Sequence, residues 1–232
     1  MKNIILILLL GIVAIVFFFF LTVRNDTQIV DYIEPLFGAA TIKTYVESPV
    51  TPANSSRIGD TTTNWYVAQQ FTTTQAGTID TARFFIRIID GSPTDGLTCE
   101  IWTDNGSNQP NTVISGATVN IPHASVVDGA NSWSNTEYTT CTFASPPTVT
   151  DATKYWIVVY RQGSADASNY YNMWRHPNSG EGGTDRYSGG IAMVGTSGAS
   201  WTELVDADFA TEIDIADAAG GTVDYGDIII FE

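Results

Sequence analysis

Basic side chains are scarce in this sequence of 232 residues. Ten lysines and arginines stand against 25 aspartates and glutamates, so the formal net charge is −15 although only 15% of the residues are charged. A surface with this balance repels phosphate backbones, which excludes nucleic acid as a partner. The acidity by itself identifies no other partner.

Cysteine and histidine are equally scarce, with two of each. Because the cysteines and His123 and His176 stand at no ligand spacing, the sequence argues against a structural zinc site. Cys99 and Cys141 lie in the alternating runs LTCEIWT and EYTTCTF. They are either two small buried hydrophobic side chains or, outside the cell, a disulfide. Nothing in the sequence shows that the two runs are neighbours, so both alternatives stay open.

Catalytic signatures are missing as well. The sequence has no G-x-S-x-G elbow, H-E-x-x-H pair, Walker loop or Gly-rich dinucleotide fingerprint. A Ser-His-Asp triad needs an oriented histidine, but His123 and His176 lie in the turn-like stretches NIPHASVVD and WRHPNSGEGG. The sequence therefore predicts a protein without enzymatic activity.

Hydrophobic length is present in excess at the amino end. Residues 3–23 carry no charge, and a helix of about 21 residues spans about 30 Å, the hydrocarbon thickness of a bilayer. The run ends FFFFLTVRND, with bulky side chains where a signal peptidase needs small ones, so cleavage is not expected. We expect residues 1–24 to form a permanent helix that packs in membrane lipid or against copies of the same chain.

A short amphipathic segment is predicted next, at residues 25–39. Ile29, Ile33 and Leu36 share one face at helical spacing, and Pro35 ends or kinks the helix because it lacks an amide hydrogen. We expect a short helix or an ordered linker here. An apolar amino-terminal helix that carries a β-rich head resembles the architecture of type IV pilins.

From residue 40 to residue 232 the hydrophobic period changes to two. Runs such as WYVAQQF, TARFFIRI and KYWIVVY are separated by turn-rich pieces such as DGSPTDG and DNGSNQPN. Many short strands without a long helical pattern predict a mainly β fold, an antiparallel β-sandwich or jelly roll. The closing run TVDYGDIIIFE is either its last strand or an edge that pairs with another chain.

Two stretches in this region resemble a known family, the choice-of-anchor β-sandwich domain. They are GSPTDGLTCEIWTDNGSNQPNTVI and ATKYWIVVY, within a similarity that covers roughly residues 55–215. The family occurs on secreted and surface proteins that are attached by varied anchors. The resemblance implies a surface location and no particular activity, although here the apolar segment lies at the amino end.

A carbohydrate site is predicted in the run SNYYNMWRHPNSGEGGTDRYSGG. Its candidate residues are Tyr170, Tyr171, Trp174 and Tyr187. Exposed aromatic rings stack on the apolar faces of sugars, while nearby amides and carboxylates bind the hydroxyl groups. The alternative is that these rings fill the core and cover a sheet edge.

Calcium is the second candidate ligand. Asp90, Asp95, Asp104 and Asn105 lie in turns where carboxylate and amide oxygens could gather around the ion. The alternative is ordinary tight-turn chemistry, because DNG is a common turn signal. A second acidic group, Glu203, Asp206 and Asp208, has the same two explanations.

These observations predict a non-enzymatic structural surface protein with no required cofactor. Its β domain would lie outside the cell, and its amino-terminal helix would hold it in a membrane, in a pilin-like filament or in a virion surface. The alternative is a membrane-tethered module for adhesion that binds surface glycans.

Overall fold

Short antiparallel strands make up most of this protein, as the computed structural model shows for residues 40–44, 54–61, 66–129, 138–176, 187–196 and 200–217. These described residues all belong to one compact unit, Ala39–Glu232. The predicted helix at 1–24, the segment 25–39 and the run TVDYGDIIIFE lie outside them. No helix within the described ranges is both long and apolar enough to cross a membrane.

The described part contains fourteen strands and a single 3-10 turn, His123–Ser125. In chain order, β1 to β14 are Ala40–Lys43, Asn54–Ile58, Tyr66–Thr72, Gly77–Phe84, Ile86–Asp90, Leu97–Asp104, Pro110–Ile121, Thr139–Thr142, Thr148–Val149, Lys154–Arg161, Tyr170–Arg175, Ala192–Thr196, Ser200–Leu204 and Thr211–Asp217. The mainly β fold predicted from the period of two is confirmed.

The strands form three sheets. The six-stranded sheet has the order β13-β12-β3-β10-β6-β7, and the five-stranded sheet has the order β1-β14-β4-β8 with β9 also paired to β4. The third sheet is β2-β11-β5. Each pairing among these strands is antiparallel.

One large core joins the sheets. Ile79 and Ile213 come from the five-stranded sheet, Ile101 and Ile157 from the six-stranded sheet, and Tyr171 from the third, and all belong to one cluster of buried side chains. Sheets that share a hydrophobic core in this way define a β-sandwich-like fold.

Strand β10 is apolar on both of its faces. Tyr155, Ile157 and Val159 belong to the core, whereas Trp156 and Val158 point to the opposite side of the six-stranded sheet and are also fully buried. The continuous apolar run KYWIVVY therefore reflects a central strand with both faces covered. A second layer of side chains must lie on the outside of this sheet.

Cys99 and Cys141 are joined by a disulfide, with 6.3 Å between their Cα atoms. Cys99 lies on β6 of the six-stranded sheet and Cys141 on β8 of the five-stranded sheet, and both are fully buried. The bond therefore crosses the core and ties the two larger sheets together. Of the alternatives that the sequence left open, the structure contains the disulfide.

Candidate functional site

The four residues predicted to bind carbohydrate do not form one exposed group. Tyr171 and Trp174 are 0% and 2% exposed, so their rings have no free face for a sugar. Tyr170 is half-buried with the Arg57 guanidinium 5.0 Å from its ring centre. The hydroxyl oxygen of Tyr187 accepts a hydrogen bond from the backbone of the six-stranded sheet. Of the two explanations that the sequence left open, burial in the core applies to Tyr171 and Trp174.

The four residues predicted to bind calcium do not meet either; they are Asp90, Asp95, Asp104 and Asn105. The first accepts a hydrogen bond from Asn172, and the second pairs with Arg161 at 2.6 Å. The third accepts the indole hydrogen of Trp156 at 2.9 Å, and the last accepts the amide of Ser107 at 2.7 Å. Within the described residues, no three His, Cys, Asp or Glu side chains surround a metal position.

The second acidic group is also divided. Glu203 and Asp206 are exposed, whereas Asp208 is 1% exposed and belongs to the interior. The Asp208 carboxylate accepts hydrogen bonds from the Gln69 side chain at 3.2 Å and from the Tyr187 amide at 2.9 Å. These contacts give Asp208 a structural role, because they tie β3 to the chain beside β12.

The outer side of the six-stranded sheet carries a group of aromatic rings that the sequence analysis did not identify. It presents a layer of four partly exposed rings, here called the aromatic face: Tyr66, Trp102, Tyr160 and Trp201. These rings come from strands β3, β6, β10 and β13. They cover a buried floor of Ala68, Trp156, Val158 and Met193, which is separate from the main core.

The rings of the aromatic face contact one another in a chain. Tyr66 and Tyr160 stack with centroids 4.3 Å apart and an angle of 23° between their planes. Trp201 meets Tyr66 at 6.1 Å and Trp102 at 6.3 Å, in each case nearly at a right angle. Stacked and edge-to-face contacts of this kind hold the rings in place, so the face is organised without a ligand.

A glycine makes room for the Trp201 indole. Gly195 is the residue opposite Trp201 in the β12–β13 pair. A Cβ atom at Gly195 would lie 2.8 Å from Cε3 of Trp201 and 2.6 Å from the carbonyl oxygen of Ser200. The missing side chain therefore lets the indole lie against the strand.

This close approach yields a prediction. We expect Gly195→Ala to lower the free energy of unfolding by about 1–2 kcal/mol, because the added methyl group displaces the indole or the strand. Urea unfolding followed by tryptophan fluorescence measures the change. Ser200→Ala, at an exposed position of β13, is the control and should change stability little; an equal loss in both variants would contradict the packing at Gly195.

Two carboxylates accept hydrogen bonds from the aromatic face and from the floor beneath it. Glu100 is 7% exposed and accepts hydrogen bonds from Nε1 of Trp102 at 2.8 Å, from Thr118 at 3.0 Å and from the Tyr160 hydroxyl at 3.2 Å. Asp104 accepts from Nε1 of Trp156 at 2.9 Å. The indole and hydroxyl groups of the face are thus oriented by fixed negative charges.

Burial and the same charge make the tyrosines of the face harder to ionise than usual. Burial, followed by the negative charge of Glu100, raises the pKa of Tyr160 to about 12 and raises the pKa of Tyr66 above its usual value. Both phenols are therefore neutral hydrogen-bond donors at physiological pH. The Trp201 Nε1 donor is buried and has no hydrogen-bond partner in the part of the chain that is described.

A polar depression on another side of the domain does not compete with this face as a site. It has a volume of about 520 Å³ and is lined by residues 163–168 together with Thr94, Asp95 and Arg161. The Arg161 guanidinium already donates hydrogen bonds to the Asp95 carboxylate and to the backbone carbonyls of Gly59 and Asn169. We therefore assign Arg161 to the stability of the fold.

No protein-family model matches this sequence, and no curated protein matches it either. The class of protein is therefore defined by its own structure, as an antiparallel β-sandwich-like domain with a disulfide across its core and an aromatic face on one sheet. Such a face suits non-covalent binding, because ring surfaces and fixed acceptors recognise a ligand without a reacting group.

Proposed function

We propose that this protein is a non-enzymatic structural protein of a cell or virion surface, with a β-sandwich head of jelly-roll type held by its apolar amino-terminal segment. The observation that carries the proposal is the Cys99–Cys141 disulfide. Disulfides form and persist in oxidising compartments and are rare in the cytosol. A buried bond that joins the two larger sheets therefore favours a domain that folds after export.

The apolar run supports the second half of the proposal. Residues 3–23 are long enough for a bilayer-spanning helix and end in bulky residues where a signal peptidase needs small ones. The helix stays with the mature protein and packs in lipid or against copies of itself, as in a pilin-like filament. The resemblance to choice-of-anchor domains agrees with a tethered head at the surface.

The tether gives a prediction for the full chain. We expect mass spectrometry of the mature protein to find residues 1–24 retained, and fractionation to find the protein in membranes or in a sedimenting polymer. Ile12→Arg should shift the protein to the soluble fraction, since a charge at the centre of a spanning helix costs about 3 kcal/mol.

Ile12→Leu is the matched control, because it keeps the run apolar and should leave the distribution unchanged. Electron microscopy of native surface material then separates the two forms of the anchor, a regular polymer of this chain or a dispersed membrane protein. A mature product that begins after Arg24 and sediments as a free monomer would contradict the proposal.

A membrane-tethered carbohydrate-binding module is the second candidate function. The run SNYYNMWRHPNSGEGGTDRYSGG, suggested from the sequence as the sugar site, cannot use Tyr171 and Trp174 for binding because both are buried. The observation that favours this candidate is the aromatic face on the six-stranded sheet, where four rings remain partly exposed.

A further inference from the structure

We propose that the aromatic face binds a neutral, hydroxyl-rich glycan. This proposal rests on the second candidate function, adhesion. It does not depend on how the amino-terminal segment is anchored. It differs in place from the loop that the sequence suggested, since its rings come from strands of the six-stranded sheet.

The rings form one compact patch. The strands that carry them span about 19 Å of sheet width, but the side chains converge, with the Trp201 ring centre 6.3 Å from that of Trp102 and 6.1 Å from that of Tyr66. Sugar rings present apolar C–H faces that pack on aromatic surfaces. A short segment of a glycan can therefore contact several of these rings at once.

The outer layer is available to a ligand, although the floor beneath it is not. Trp156 and Val158 are fully buried, because the rings above them already seal the sheet. Tyr66, Trp102, Tyr160 and Trp201 each keep part of their surface exposed. A ligand would thus add to a finished layer and need not open the core.

The polar groups of the face favour a ligand that donates hydrogen bonds. Glu100 accepts three hydrogen bonds, and a carboxylate has about four acceptor positions, so one remains for a sugar hydroxyl. The Trp201 Nε1 group is buried within the layer, so it is not within reach of a ligand on the surface. Sugar hydroxyl groups supply the donor that the free acceptor position of Glu100 can take.

The charge of the face argues against a negatively charged ligand or partner. Glu100, Asp104 and Glu203 lie on this side of the sheet, as the pairing register and alternation along β6 and β13 require. Lys154, a cation on the same side, donates to Asn108 at 2.8 Å at the far end of β10. A second copy of this acidic chain, or an anionic polysaccharide, would therefore meet like charge.

Binding of soluble polysaccharides to the full chain in detergent tests the proposal. The neutral probes are laminarin, mannan and hydroxyethylcellulose, and the anionic probes are alginate and heparin, each examined by affinity electrophoresis and isothermal titration calorimetry. We expect at least one neutral probe to bind and the anionic probes not to bind. Trp102→Ala and Trp201→Ala should each weaken that binding about tenfold or more.

Tyr170→Ala is the matched control, an aromatic residue of the three-stranded sheet that should bind like the wild type. Because removing a tryptophan could disturb the fold, each variant must show an intact disulfide by mass and an unchanged unfolding transition. Trp201→Phe adds a conservative change: it keeps a ring but lacks the indole donor, so its loss of affinity should be smaller than that of Trp201→Ala.

Protection gives a readout that does not depend on variants. The bound neutral probe should slow oxidation of Trp102 and Trp201 by N-bromosuccinimide. Peptide mapping should show no such slowing at the buried residues Trp156 and Trp174. Failure of all neutral probes to bind the folded wild type, or equal binding by Tyr170→Ala and the tryptophan variants, would overturn the site. The anchor would stand in either case, because retention of residues 1–24 is measured separately.

Discussion

Replacing Cys99 and Cys141 together with alanine should lower the free energy of unfolding by about 4 kcal/mol. The bond links residues 42 apart in the chain, and closing a loop of that length restricts the unfolded state by this amount in the chain-entropy model. Both sulfur atoms are fully buried between the two larger sheets, so their loss also leaves space in the core. The effect is large compared with the total stability of an ordinary domain.

Urea unfolding of the wild type and the double variant, followed by tryptophan fluorescence, measures this difference. The reduced wild type is the control, because it keeps both side chains and lacks only the bond. It should unfold at a urea concentration between those of the oxidised wild type and the double variant, because it keeps both sulfur atoms in the core. If the reduced and oxidised wild-type proteins unfolded together, the disulfide would not be what holds the two sheets in place.

The class of fold followed from the sequence because its signal is local. Alternation within single runs such as TARFFIRI marks strands, and turn-rich pieces mark their ends. Which strands pair depends on contacts between distant parts of the chain. Cys99 and Cys141 therefore remained ambiguous, since β6 and β8 lie in different sheets and meet through the core rather than by backbone pairing.

The aromatic residues of the candidate sugar site stayed ambiguous for a related reason. Tyr171 and Trp174 are buried because β11 is the middle strand of its sheet and has cover on both sides. The rings of the aromatic face come from four separate runs, so no single stretch of sequence shows them together. The one available signal was KYWIVVY, whose apolar residues at both odd and even positions indicate a second covered face.

The roles of the acidic turn residues also depend on contacts between distant parts of the chain. Asp95 and Asp104 have partners 66 and 52 residues away, Arg161 and Trp156. A carboxylate in a turn cannot be distinguished from a metal ligand until such partners are placed. The described carboxylates predicted to bind calcium are instead occupied by hydrogen-bond donors of the protein.

Removing one of these partners produces the second large effect that we expect. Asp95→Ala should lower the free energy of unfolding by about 3 kcal/mol, because it leaves a buried guanidinium without its counterion. Arg161 is 6% exposed and contacts both carboxylate oxygens, from Nε at 2.7 Å and from Nη2 at 2.6 Å. Arg161→Met should cost less, since Asp95 lies nearer the surface, and the double variant should recover part of the loss.

Acid offers an independent measurement of the same pair. Burial by itself would raise the pKa of Asp95, but the hydrogen bonds and charge of Arg161 and the amide of Gly163 outweigh burial and lower that pKa below its usual value. The stability contributed by the ionised group is therefore fully present above the unfolded pKa of about 3.9 and is lost as the pH falls through the folded pKa.

Stability curves measured by urea unfolding between pH 7 and pH 2 should show this difference between the wild type and Asp95→Asn. Below about pH 4 the wild type should lose more stability than the variant, because the variant has no carboxylate to protonate at this position. Asp151→Asn, at an exposed turn residue, is the control and should follow the wild-type curve. Parallel curves for the wild type and Asp95→Asn would mean that the ion pair does not stabilise the folded state, and the loss in Asp95→Ala would then come from packing alone.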